Sequence, residues 1–338
     1  MSTTTSVYVD PKTGGVQAGV MQFRNKLING DMRIHQRGTS GNATNGMFVC
    51  DRWIVNSDIP GGFLTRADVQ TTDQMLVELG ITKYISMSRG SGSGTYMQLQ
   101  QNIEMFNVRD CIMSQIALSF YAKASSAGSF ECTMGWYYTA STLATYSGQT
   151  ITLTTSWKRY ELLFTAPAAL TVANTITNID NLIGMIVALR CTSMPLNSTT
   201  QISGVQIEKG SVATPFELRP YPVELQLCQR YGYTIPDTAH NFFGFTHLAT
   251  TTVQLVISHP ITMRIGPTVS LISGSLANML IQTPQSTNLS PTTVTEATTT
   301  ISHTTLLFGG LSGLAIGNTV LVRFRHNGVT TLFFNSEL

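Results

Sequence analysis

Ile116-Ala-Leu-Ser-Phe-Tyr-Ala-Lys123, the turn Ala124 to Gly128, and then Ser129-Phe-Glu-Cys-Thr-Met-Gly-Trp-Tyr-Tyr138 form the stretch that decides the fold. In an extended chain successive side chains point to opposite faces. Ile116, Leu118 and Phe120 therefore share one face, and Phe130, Cys132, Met134 and Trp136 share another. Apolar residues at period two, rich in β-branched and aromatic types and bounded by a Ser/Gly turn, predict two strands joined as a hairpin.

The same signal recurs on both sides. Thr152 to Phe164 repeats the pattern, Leu182 to Leu189 is apolar enough for a strand buried on both faces, and Gln201 to Glu208 supplies another strand. With turn clusters between such runs and almost no helical periodicity, an all-β sandwich or jelly roll is expected over residues 21–220. Residues 1–20 carry a Thr/Ser run, Asp10-Pro11 and Gly14-Gly15, the composition of an extended arm. Thr214-Pro-Phe-Glu-Leu-Arg-Pro-Tyr-Pro222 is too proline-rich for a ladder interior and closes the domain. Val223 to Tyr231 lacks breakers and is read as a short helix within a hinge over 221–235. Strand-like runs return over 236–338, giving a second, smaller β domain, in which the Thr-rich residues 283–300 suit either strands or a loop.

Composition narrows the function. Charged residues make up 11% of the 338, against about 25% in ordinary soluble domains. With 42% hydrophobic residues and a formal charge of +2 the chain is expected to fold, and a nearly uncharged exterior suits large contacts that close without desolvating ions. Nucleic acid is excluded as a partner, because phosphate binding needs clustered Lys and Arg. No apolar run approaches the ~20 residues of a membrane helix, and the first residues lack the pattern of a signal peptide. Five cysteines, Cys50, Cys111, Cys132, Cys191 and Cys228, show no CxxC spacing and read as buried reduced thiols. That fits assembly in a cytosol-like compartment.

A resemblance enters at Asn25-Lys-Leu-Ile-Asn-Gly-Asp-Met-Arg-Ile-His-Gln-Arg37 with Asp51-Arg-Trp53, and at Gly204-Val-Gln-Ile-Glu-Lys-Gly-Ser-Val-Ala-Thr-Pro-Phe-Glu-Leu-Arg-Pro220 with Glu224 to Tyr231. These resemble the opening and closing signatures of a domain found in phage tail-fibre and large DNA virus structural proteins. Between them, Leu118 to Lys123 and Ser156 to Tyr160 are similar to middle strands of carbohydrate-binding modules with a galactose-binding-like jelly roll. The resemblance covers about 21–231. It implies a capsid-surface, fibre or tail component of a virion, with other virion proteins and sister copies as partners, a homo-oligomer such as a trimer, and relatives that bind sugars. A dedicated receptor-recognition module for host surface glycan is the alternative, and a glycoside hydrolase a further one.

Candidate sites follow from chemistry. Sugar rings stack on aromatic planes, so Trp136, Tyr137 and Tyr138 are the candidate glycan-binding residues, with alternation sending Trp136 and Tyr138 to one face and Tyr137 to the other. Trp53 and Trp157 are assigned to the core. Asn29-Gly30-Asp31 reads as a tight turn with Gly30 at positive φ rather than a calcium loop. His35, His240, His247, His259, His303 and His326 lack metal-pair spacing, so no metal and no cofactor is expected. Hydrolysis would require two facing carboxylates from a set such as Glu104, Asp110, Glu131 and Glu161. None lies in a catalytic motif, and no catalytic residue is assigned.

Overall fold

The computed structural model describes residues 6–9, 16–19, 23–37, 40–90, 93–139, 142–165, 183–192, 195–235, 243–273, 275–276, 279–283, 288–316, 319–324 and 331–337. The fold is all-β, as the alternation predicts, with three short α-helices among the described residues. Its packing separates two units: Met1–Arg33, Ser40–Met47 and Trp53–Leu218 form the first, and Ile34–Thr39, Phe48–Arg52 and Arg219–Leu338 the second.

The first unit is a sandwich of two antiparallel sheets. One runs in the order Thr142–Leu153, Gly128–Thr139, Gly184–Cys191, Met97–Glu104 and Trp53–Ser57. The other runs Lys158–Thr165, Gln115–Ala124, Thr199–Lys209, Lys83–Ser88, Phe63–Asp68 and Ser40–Asn42. The predicted strands around 116–123 and 129–138 are therefore present, but they are not a hairpin. Gln115–Ala124 and Gly128–Thr139 lie in different sheets, and the turn between them arches across the core. The apolar faces explain this: Phe120 and Phe130 meet across the sandwich with ring centroids 5.7 Å apart, and Tyr160 stacks on Phe120 at 5.6 Å. Pairing the strands edge to edge would forfeit that contact. The residues expected to form an N-terminal arm include a small antiparallel hairpin, Ser6–Val9 with Val16–Gly19.

The opening signature is structural. Asn25 Oδ1 accepts from the backbone N–H groups of Leu27 and Ile207, each at 3.0 Å, while Asn25 Nδ2 donates to Val205 O at 3.0 Å. Gln101 grips both backbone groups of Ile28 at 2.8 Å, and Trp53 Nε1 donates to Asn29 O at 2.8 Å. An irregular segment is thus pinned to the sandwich through side chains that satisfy its buried peptide groups. Positive φ falls on Asn29 (59°) and Met32 (60°) rather than on Gly30. Gly30 is needed for closeness instead, because a Cβ there would stand 2.2 Å from Val205 O.

In the second unit, Gly232–Ile235, Thr331–Asn335 and Thr268–Ser273 make one sheet, and strands from Phe243 to Phe324 make a seven-stranded one. Val253, Leu255, Phe308, Val322, Leu332 and Phe334 form its core. Residues 283–300, ambiguous in sequence, include strands at Asn288–Leu289 and Thr293–Thr299. The helix Tyr221–Gln229 falls within this unit, where Glu224 is buried against Arg219 at 3.2 Å and Cys228 is buried. Ile34–Thr39 and Phe48–Arg52 bring two arginines into the same unit. Arg37 and Arg52 both donate to the Glu337 carboxylate. Arg37 also lies over the rings of Phe48 and Phe333, at 3.7 and 4.6 Å, and Arg52 over Tyr231 at 3.5 Å. Burial lowers the Arg37 pKa to about 10, with Asp51 opposing the shift.

His259 gives this unit a pH dependence. Its Nδ1 lies 2.9 Å from Tyr233 Oη and its Nε2 3.2 Å from Thr300 O, while Thr304 Oγ1 and the Phe334 ring complete its surroundings. Burial, assisted by nearby His303, lowers its pKa below the ordinary histidine value of 6.5. The folded form thus takes up a proton less readily than the unfolded one, so the stabilisation is complete above pH 6.5 and declines as pH falls towards the lowered value. Denaturation midpoints are expected to fall on acidification through this window, and His259→Gln to flatten the profile; an equally steep profile in the variant would exclude His259 as the source.

Candidate functional site

The outer face of the sheet containing Gly128–Thr139 carries a row of polar side chains from neighbouring strands. Alternation in Met97–Glu104 sends Met97, Leu99, Gln101 and Ile103 inward and leaves Gln98, Gln100 and Asn102 half-buried on the outer face. The register aligns two rows across the strands. Asn56, Gln98, Arg190, Glu131 and Thr150 form one, and Ile54, Gln100, Ala188, Thr133 and Gly148 the next. Five strands at ~4.8 Å spacing make each row about 19 Å long.

The rows differ in height. Ala188 and Thr133 carry small side chains and Gly148 none, whereas Arg190 and Glu131 stand on one side of them; on the other side Ile186 is aligned with Gly135, and Tyr137 stands one row further on, opposite Gly184. Ala188 and Thr133 are only 2% and 3% exposed although they sit on the outer face, as expected of a floor between taller neighbours. Small residues thus lie between larger ones along the outer face of this sheet.

Its polar groups are fixed but unsaturated. Asn56 Nδ2 and Gln98 Nε2 both donate to Gln100 Oε1, at 2.6 and 2.8 Å. Among the described residues, the Gln100 amide nitrogen and the Gln98 and Asn56 carbonyl oxygens have no protein partner, leaving donors and acceptors facing outward together. Arg190 Nη1 stands 3.6 Å from Glu131 Oε2, and its guanidinium lies 3.9 Å over the Tyr96 ring. Hydroxyl-bearing ligands, which donate and accept at each group, match such a surface.

Of the three aromatic residues singled out in the sequence, Tyr137 lies on this outer face, half-buried, with its pKa raised by that burial. Trp136 points into the sandwich and is 2% exposed, so it offers no open ring face. The strand includes Tyr138, whose side chain lies outside the described residues. Trp53 is fully buried, as its core assignment anticipates, and Trp157 is half-buried, packed against the buried cluster of Leu76, Ile81 and Tyr121 and donating to Asp73 Oδ1 at 2.7 Å beneath Lys123.

The carboxylates do not assemble as a hydrolytic pair on this face. Glu131 is opposite Arg190 and Glu104 opposite Gly184, six residues apart along one strand, or about 20 Å, against the roughly 5–9.5 Å that glycoside hydrolysis requires. Glu161 faces out from the opposite sheet, paired with Arg159, and Asp110 is held by Lys26 at 3.1 Å. Burial pushes the Cys111 and Cys191 thiols up to about 12, which removes them as nucleophiles near neutrality. Among the described residues no cluster of metal-ligating side chains occurs, and no helix is long and apolar enough to cross a membrane.

The amide rows escaped the sequence reading. Their signal was the alternation Gln98, Gln100, Asn102, masked by the inward Gln101 between them.

Neither a protein-family model nor a curated protein matches the chain. Among solved structures, 55% of it is similar to the enzymatically active domain of bacteriophage CBA120 tailspike protein 4, at 15% identity and a TM-score of 0.36, spanning 21% of that chain. A family 11 carbohydrate-binding module from Clostridium thermocellum, solved with a mixed-linked tetrasaccharide, is similar over 52% of this chain and 97% of its own, at 14% identity and a TM-score of 0.31. The CBM22-1 xylan-binding domain of Paenibacillus barcinonensis Xyn10C is similar over 53% and 99%, at 10% identity and a TM-score of 0.31. At TM-scores this low the likenesses carry no functional argument.

Proposed function

We propose that this chain is a non-enzymatic structural protein of a virus particle whose first unit holds a glycan along the outer face of its amide-lined sheet. The observation that carries the glycan reading is the open amide array of Asn56, Gln98 and Gln100 beside a floor of small residues. An extended sugar chain fits that geometry, its hydroxyls meeting the amides while Tyr137 and Tyr96 flank it. The particle role rests on the signature residues 25–37 and 204–220 and on a charged fraction of 11%.

Titration of the protein against a panel of neutral and acidic oligosaccharides by calorimetry tests the site. Gln98→Ala with Gln100→Ala is expected to weaken binding about tenfold or more, at roughly 1 kcal/mol per hydrogen bond removed. Glu161→Gln, on the opposite sheet, is expected to leave affinity unchanged. Equal binding by wild type and the double variant would reject this site, and failure of the wild type to bind any glycan would reject the glycan reading. Mass spectrometry of purified particles tests the other half: a particle lacking the chain would end the structural role.

A further inference from the structure

Arg190 stands in the same cross-strand row as Asn56 and Gln98, directly beside Gln98, with Glu131 on its other side. Neighbours in such a row have Cβ atoms about 5 Å apart, and a diagonal neighbour, here Gln100, lies within about 8 Å. The guanidinium is held in place without being saturated. It lies 3.9 Å over the Tyr96 ring, its side chain is 31% exposed, and its Nε is buried with no hydrogen-bond partner. Glu131 Oε2, 3.6 Å from Nη1, is beyond hydrogen-bonding reach, and among the described residues the guanidinium donates no hydrogen bond. Asp58, the acid beside Tyr96, is already engaged by the Thr95 and Tyr96 N–H groups and by the Thr95 hydroxyl.

A guanidinium carries five N–H donors in a planar fork that matches a carboxylate, and half-burying such donors without an acceptor is costly. We infer, resting on the glycan reading above, that the ligand of this face is a uronate-bearing glycan and that Arg190 binds one of its carboxylates. A neutral sugar would meet the amides of Asn56, Gln98 and Gln100 but leave the guanidinium without its matching acceptor. A carboxylate at Arg190 gains a charge-assisted pair on a side chain that stacking already holds in one orientation. Glu131 opposes this by like-charge repulsion, at a separation from Arg190 that leaves the fork's hydrogens uncommitted.

The test is calorimetric titration of the full chain with tetragalacturonate, tetramannuronate and a hyaluronan tetrasaccharide, each beside its methyl ester, which keeps the sugar and removes the charge. Wild type is expected to bind at least one acid about tenfold or more tighter than its ester, the scale of one charge-assisted hydrogen bond. Arg190→Gln is expected to remove that preference. Glu131→Gln, which takes away the repelling carboxylate, is expected to strengthen binding of the acid and not of the ester, a gain that a merely structural pair of Arg190 with Glu131 would not give. Equal affinity for acid and ester in wild type, a preference that survives Arg190→Gln, or acid binding unchanged or weakened in Glu131→Gln would each overturn the carboxylate assignment while leaving the glycan reading in place. Binding of neutral oligosaccharides with none of the acids would do the same, whereas absence of all glycan binding would end both.

Discussion

Glu337→Gln is expected to destabilise the second unit by about 3–5 kcal/mol, the range for breaking a buried ion pair by removing one partner. The carboxylate accepts from Arg37 and Arg52, whose side chains are 11% and 2% exposed, and is itself 7% exposed. Both guanidiniums lie over aromatic rings, so neither reaches water without opening the core. Asp51 remains nearby after the substitution, but it already accepts from the Gln36 backbone N–H at 2.9 Å. The comparison is Asp110→Asn, which breaks the pair with Lys26 where the aspartate is 46% exposed, and which is expected to cost at most about 1 kcal/mol. All three tryptophans lie in the first unit, so urea unfolding followed by circular dichroism should move in Glu337→Gln more than unfolding followed by tryptophan fluorescence. Equal costs for the two substitutions would show that the Glu337 cluster is solvated in solution.

The cluster illustrates what the sequence could and could not reveal. Period-two alternation identified strands such as Gln115–Ala124 and Gly128–Thr139, and a continuous apolar run identified Gly184–Cys191, because burial on a pleated surface is a local property. Sheet membership was not local. Gln115–Ala124 and Gly128–Thr139 read as a hairpin, and only the meeting of Phe120 with Phe130 across the core shows that the turn changes sheets. Likewise Arg37 and Glu337 are 300 residues apart, so their pairing leaves no trace in either neighbourhood. At the candidate site, the aromatic residues singled out in the sequence lie on Gly128–Thr139. The amides of Asn56, Gln98 and Gln100 lie on other strands of the same sheet, aligned by register and invisible to a motif search.

Gly30→Ala is the second large effect, expected to cost roughly 3 kcal/mol or more, at the upper end of what overpacking imposes. The new methyl would meet the carbonyl oxygen of Val205 at 2.2 Å, with Asn25 Nδ2 at 3.1 Å and the Phe216 ring at 3.3 Å behind it. A flexible side chain could yield, but Val205 O belongs to the backbone and also accepts from Asn25 Nδ2, while Val205 N donates to Gly30 O at 2.9 Å. Moving it would loosen the links that hold residues 25–30 to the sandwich. Gly46→Ala separates this cause from backbone conformation. Gly46 has φ +81° with nothing within 4 Å of its would-be Cβ, so its substitution should cost only the left-handed penalty of about 1–2 kcal/mol. Chemical denaturation of the two variants decides the point. If Gly30→Ala proved no more costly than Gly46→Ala, close approach to Val205 would not be why glycine stands in the signature, and the segment would be free to shift on its sheet.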